Sequence, residues 1–185
     1  MCVIIINKSG EVPHHILERA SWYNPDGAGM MWHSSGLRIY KNLNNLKVIE
    51  KYYELRRTFS GLIVLHFRVA THGKINFTNT QPIKVGRDTA IVHNGVITGY
   101  GNSRLSDTYM FAKTIDVTRL NNATYIEYLE KVIHYNRMVI MHKNGITILN
   151  KELFYNLGGN LYSNLNFLNI SNIWNEYYWN MVSNI

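Results

Sequence analysis

The only cysteine in the 185 residues is Cys2, one residue short of being the amino terminus. Removal of Met1 would put a thiol and a free α-amine on the same residue. The thiolate is the nucleophilic form of cysteine, with an ordinary pKa near ~8.5, and a terminal amine titrates near ~7.7–8.0. Nucleophile and general base would then sit on one residue, a recognised route to covalent catalysis. The competing reading is an inert small hydrophobe, and the clusters downstream weigh against it.

Three polar clusters interrupt apolar strands. In the first, His66-Phe67-Arg68-Val69-Ala70-Thr71-His72-Gly73, alternation sends His66, Arg68 and Ala70 to one face. Arg68 thus leaves the end of a hydrophobic strand beside a Thr-His-Gly turn. There it could fork onto a substrate carboxylate or close a structural ion pair. The second, Val92-His93-Asn94-Gly95-Val96-Ile97, reads either as a type I′ turn or as an oxyanion hole made by the Asn94 amide and the Gly95 N–H. The third, Ser106-Asp107-Thr108, is a helix cap or a carboxylate for a substrate ammonium group. His66, His72 and His93 could converge on a metal. The lack of a second cysteine and of a His-x-x-x-His pair argues against it, so no metal and no cofactor are expected.

The elements that must hold these residues follow from periodicity. Val3–Ile6 is a β-branched run that reads as a buried strand carrying Cys2 at its start. A helix after Pro13 runs to Trp22, Asn24-Pro25-Asp26-Gly27 marks a turn, and strands are expected at Gly29–Trp32 and Leu37–Tyr40. Further helices are expected over Leu46–Phe59, Asp107–Ile115 and Thr124–Ile133. Further strands are expected over Leu62–Val69, Thr89–Ile97, Met138–His142 and Ile146–Leu149. Strands grouped around helices favour an α+β layered sandwich in one domain spanning 1–185, with 151–185 as a C-terminal elaboration: an edge-packed hairpin and a final aromatic helix.

A hydrophobic share of 46% against 17% charged describes a globular chain. No secretory signal and no run long enough to cross a membrane is present, which gives the expectation of a cytoplasmic protein whose cysteine stays reduced. The net charge of +7 is dispersed, with Arg56-Arg57 among its longest basic runs, so nucleic acid is not the expected partner. Abundant Asn, Ile, Lys and Tyr fit AT-rich coding, as in a virus-encoded protein of the host cytoplasm or a low-GC bacterium.

Taken together, the chain resembles the glutaminase domain of class II glutamine amidotransferases, in the N-terminal nucleophile hydrolase superfamily. The resemblance covers about residues 1–115. It runs in order through Met1-Cys2, Asn24–Gly29, His66–Gly73, Asn79-Thr80-Gln81-Pro82, Val92–Ile97 and Ser106-Asp107-Thr108. It implies a four-layer αββα sandwich in which Cys2 attacks the side-chain amide of glutamine. Arg68 would hold the α-carboxylate, Thr71 and His72 would shape that pocket, Asp107 would bind the α-ammonium, and Asn94 with Gly95 would stabilise the oxyanion. A zwitterionic substrate independently calls for one cation and one carboxylate set apart. The chain departs from the family at Tyr109, where a glutamate is common, and at Gln81, where a histidine is common.

The leading expectation is a stand-alone amidotransferase subunit that hydrolyses glutamine through a Cys2 thioester and passes ammonia to a separate synthase, since no synthase domain follows within the sequence. Trp174, Tyr177, Tyr178 and Trp179 are candidate docking aromatics. Two alternatives stay open: a free-standing hydrolase of another γ-glutamyl amide, and a binding module that has lost turnover.

Overall fold

The computed structural model describes residues 1–168. The expected terminal helix and the four docking aromatics lie outside them. The ten strands of the described residues form two sheets. The first has the order β3-β2-β4-β1-β10-β9, built from β1 (Val3–Asn7), β2 (Ala28–His33), β3 (Leu37–Asn42), β4 (Ile63–Phe67), β9 (Tyr155–Leu157) and β10 (Asn160–Tyr162). The second has the order β5-β6-β7-β8, from β5 (Ile83–Gly86), β6 (Thr89–Asn94), β7 (Arg137–His142) and β8 (Gly145–Leu149). Every pairing is antiparallel.

Alternation along the strands builds three cores. Ile4 and Ile6 of β1 face Ala90 and Val92 of β6 and Val139 and Met141 of β7, filling the space between the sheets. Val3 and Ile5 point the other way, onto helices α1 (His14–Tyr23) and α2 (Asn45–Arg56) through Leu17, Ala20, Val48 and Tyr52. Ile91, Met138 and Ile140 lie beneath α3 (Asp107–Ala112) and α4 (Ala123–Ile133), whose Phe111, Tyr125, Leu129 and Ile133 face them. The layers are therefore helix, sheet, sheet, helix, the four-layer αββα sandwich that the family resemblance implies. Among the described residues, no helix is long and apolar enough to cross a membrane.

Side-chain caps set where the helices start. Asn44, Ser106 and Asn122 accept from the N–H groups of Leu46, Tyr109 and Tyr125, each such cap being worth ~1 kcal/mol. Four expected elements end early, among them the helix from Leu46, which stops at Arg56, and the strand from Leu62, which stops at Phe67. The strand from Thr89 stops at Asn94 because Gly95 adopts φ +141°, outside the strand region. The helix from Asp107 stops at Ala112, where Lys113 and Thr114 turn back onto Met110 and Phe111. β5 has no counterpart in the sequence reading, being four residues long with polar Lys84 inside it. The Tyr155–Tyr162 hairpin does pack at the edge of the first sheet, directly against β1.

β1 is anchored at its far end. The Tyr52 hydroxyl donates to Asn7 Oδ1 at 2.8 Å and accepts the Val12 N–H at 2.8 Å. Arg56 spans Asn7 and the carbonyls of Phe59 and Gly61. One member of the Arg56-Arg57 pair is thus consumed by the fold.

Candidate active site

Antiparallel pairing of Val3 with Phe67 brings Cys2 level with the residues that follow β4. Cys2 Sγ lies 3.4 Å from both the N–H and the carbonyl oxygen of Val69, accepting from one and donating to the other. Burial pushes the thiol pKa up. The Val69 N–H, the terminal amine and Arg68 pull it down less strongly, and Asp107 pushes it up. The sulfur is therefore a neutral thiol at pH 7 that needs a base.

The Asn24–Gly27 turn holds the end of β4. Asp26 N–H donates to the Arg68 carbonyl, Arg68 N–H donates to that of Gly27, and Asp26 Oδ2 accepts the Ala70 N–H at 2.7 Å. Arg68, only 3% exposed, gives Nη2 to the His72 carbonyl at 3.0 Å and Nη1 to that of Lys74 at 3.5 Å. The ion pairs among the described residues are His14–Glu18, Lys47–Glu50 and Lys51–Glu54, all on exposed helix surfaces. Arg68 belongs to none of them, so the structural ion pair left open by the sequence does not form among these residues.

A narrow cleft joins Cys2, Arg68 and Val69 to Thr71 and His72 at its exposed rim and to Gly95 and Asp107 on its other wall. Larger hollows lie elsewhere, such as that between Arg87 and Lys143, but Cys2 lines none of these three. Asp107 is fixed by the Ile97 and Thr108 N–H groups, each at 2.7 Å. Behind it, Thr108 Oγ1 meets His93 Nδ1 at 3.0 Å and Gln81 Nε2 at 3.3 Å, while Gln81 Oε1 accepts the His93 N–H at 2.6 Å. Gln81 thus ties β6 to α3. Tyr109 lies half-buried on the outer helical core, with Lys113 over its ring.

Asn94 is buried at the end of β6. Its Nδ2 donates to Ser163 Oγ at 2.9 Å, and its Oδ1 has no partner among the described residues. Gly95 is backed by Asn136, whose Nδ2 donates to the Val96 carbonyl at 2.7 Å and whose amide would collide with any Cβ at position 95. Asn164 Nδ2 donates to the Cys2 carbonyl at 2.7 Å. Sequence reasoning missed Asn136, Ser163 and Asn164, because no motif marks a lone Asn or Ser as the neighbour of a distant strand. Among the described residues, no group of His, Cys, Asp and Glu is placed to hold a metal ion.

No family model matches the chain. Among curated proteins, the glutamine-fructose-6-phosphate aminotransferase (isomerizing) of Haemophilus ducreyi is 30% identical over 78 residues, 42% of this chain and 13% of its own length. The protein of the same name from Buchnera aphidicola subsp. Acyrthosiphon pisum is 29% identical over 110 residues, 53% of this chain and 18% of its own length. The matches thus span less than a fifth of these relatives. Among solved structures, the glutamine phosphoribosylpyrophosphate amidotransferase from B. subtilis, complexed with ADP and GMP, superposes with a TM-score of 0.56 at 17% identity. That match covers 93% of this chain and 44% of the other. A structure described as the allosteric regulatory enzyme of purine biosynthesis gives 0.55 at 18% identity, covering 88% and 41%. At such identities the likeness to the solved structures is one of fold.

Proposed function

For a chain that carries a domain of the class II glutamine amidotransferase type, with the N-terminal nucleophile hydrolase fold, we propose hydrolysis of the glutamine side-chain amide through Cys2 and delivery of the ammonia to a synthase on a second polypeptide. The observation that carries this reading is Arg68, a cation almost wholly buried, outside every ion pair of the described residues, opening on the same cleft as Cys2 and Asp107. A buried charge without a counter-ion is costly. An arriving α-carboxylate supplies the counter-ion, and Asp107 across the cleft suits the α-ammonium of the same substrate.

After Met1 is removed, the Cys2 amine takes the thiol proton and the sulfur attacks the amide carbon. The resulting oxyanion is met by the Gly95 N–H and the Asn94 amide. The amine then returns the proton to the leaving nitrogen, ammonia departs, and the γ-glutamyl thioester on Cys2 is hydrolysed by water to glutamate. Ammonia released into water is mostly protonated and no longer a nucleophile, which favours an acceptor docked against the cleft.

The test compares glutamine with γ-glutamyl conjugates as substrates and follows recovery of partners from the native host. Preferred turnover of glutamine, accelerated by a co-purifying synthase, is expected. Full-rate hydrolysis of a conjugate with no synthase recovered would overturn the reading in favour of a free-standing amidase. Failure to turn over either would leave a binding module.

A further inference from the structure

We propose that Ser163 is a positioning residue for the oxyanion hole: during turnover its hydroxyl donates to Asn94 Oδ1 and so turns both N–H groups of the Asn94 amide away from itself and toward the oxyanion. The inference rests on the function proposed above. Ser163 is wholly buried just beyond β10. Its N–H donates to the Ile4 carbonyl at 3.0 Å, and its Oγ accepts the Ile4 N–H at 2.8 Å, so it grips the nucleophile strand two residues from Cys2. The same Oγ lies 2.9 Å from Asn94 Nδ2.

In that arrangement the hydroxyl oxygen receives two N–H groups, while Asn94 Oδ1 is buried without a partner among the described residues. A half-turn of the Asn94 amide exchanges its oxygen and nitrogen with almost no change in shape. Ser163 then accepts from Ile4 and donates to Oδ1, using both capacities of a hydroxyl, and Oδ1 is no longer an orphan. The NH2 moves away from Ser163 and is available to charge that develops on substrate. A single hydroxyl thereby sets the relation between the nucleophile strand and the residue that stabilises the product of its attack.

The experiment is a double-mutant cycle on the full chain with glutamine as substrate. Ser163→Ala should lower kcat by about tenfold or more with KM little changed, since an oxyanion donor is mispositioned and not the zwitterion pocket. Ser163→Thr, which keeps the hydroxyl, should recover most of the loss. Ser163→Ala combined with Asn94→Ala should be no slower than Asn94→Ala alone, because both act through the same amide. If Ser163→Ala loses its cooperative thermal transition, Ser163→Cys, with a weaker donor of similar shape, takes its place in the cycle. Losses that multiply would show that Ser163 acts on β1 independently of Asn94 and would overturn the proposal while leaving the glutaminase reading intact. A parent chain that turns over neither glutamine nor γ-glutamyl conjugates overturns both.

Discussion

Asn164 donates its side-chain amide to the main-chain carbonyl of Cys2 at 2.7 Å, across a separation of 162 positions. That bond holds the peptide plane between Cys2 and Val3. The segment least marked in the sequence therefore orients the residue most marked in it.

The mature protein should lack Met1. Intact mass checks this directly. Because burial holds the thiol above its ordinary pKa, the terminal amine must be unprotonated to accept the proton, so hydrolysis should rise with pH through ~7.7–8.0. Protein that retains Met1 and turns over at full rate would remove the amine from the mechanism.

Cys2→Ala should abolish hydrolysis and keep the thermal transition, since among the described residues the Cys2 side chain makes two long sulfur hydrogen bonds and the carbonyl that Asn164 grips is retained. A glutamine analogue bearing an electrophilic diazo-ketone should add to Cys2 and to no other residue, as peptide mass mapping would show.

Arg68→Ala and Asp107→Ala should raise KM for glutamine more than they lower kcat, as both face parts of the substrate remote from the scissile bond. Lysine at position 68 should rescue only in part, because it lacks the planar fork. Wild-type glutamine affinity in both alanine variants would mean the zwitterion pocket lies elsewhere.

Asn94→Ala should lower kcat by roughly 10²–10³-fold, the loss expected for one oxyanion donor. Gly95→Ala should harm folding as well as turnover. Its φ of +141° strains any side chain and a Cβ meets the Asn136 amide, so a cost on the order of 1–3 kcal/mol is expected in denaturant melts.

Acid should destabilise the fold above the carboxylate range. Burial pushes the His66 pKa down to about 3 and lowers that of His93. Unfolded imidazoles titrate near ~6.5, so below that pH the unfolded chain binds protons that the folded chain refuses. Stability is therefore complete above pH ~6.5 and should fall between ~6.5 and 5 by up to ~1.4 kcal/mol per pH unit for each histidine. His66→Gln should flatten that slope in urea melts at graded pH, and an unchanged slope would show that His66 is not its source.

What the sequence reveals of the site is what depends on local contrast. Arg68 and Gly95 stand where apolar strands break into polar, glycine-bearing turns, and Asp107 follows a capping serine at a helix start, both signals being visible in a window of eight residues. The partners of those residues are not. Whether Arg68 closes an ion pair depends on which carboxylates the fold brings near, and whether the Asn94 amide is free depends on Ser163, 69 positions on. The sheets show the same limit. The unbroken apolar run tells that β1 is buried on both faces, whereas the identity of its neighbours β4 and β10 is fixed by tertiary pairing that no local pattern encodes. β5 was hidden for the opposite reason, being too short to carry a period at all.

The position of β1 between β4 and β10 also has a consequence for biogenesis. Synthesis runs from the amino end, so Cys2 is made before its distant neighbours, yet the strand that follows it gains its second neighbour only when residues 160–164 have emerged. The nascent chain thus holds Cys2 beside an unfinished sheet until those residues emerge. The surroundings of Cys2 are completed late, once nearly the whole of the described domain has been made.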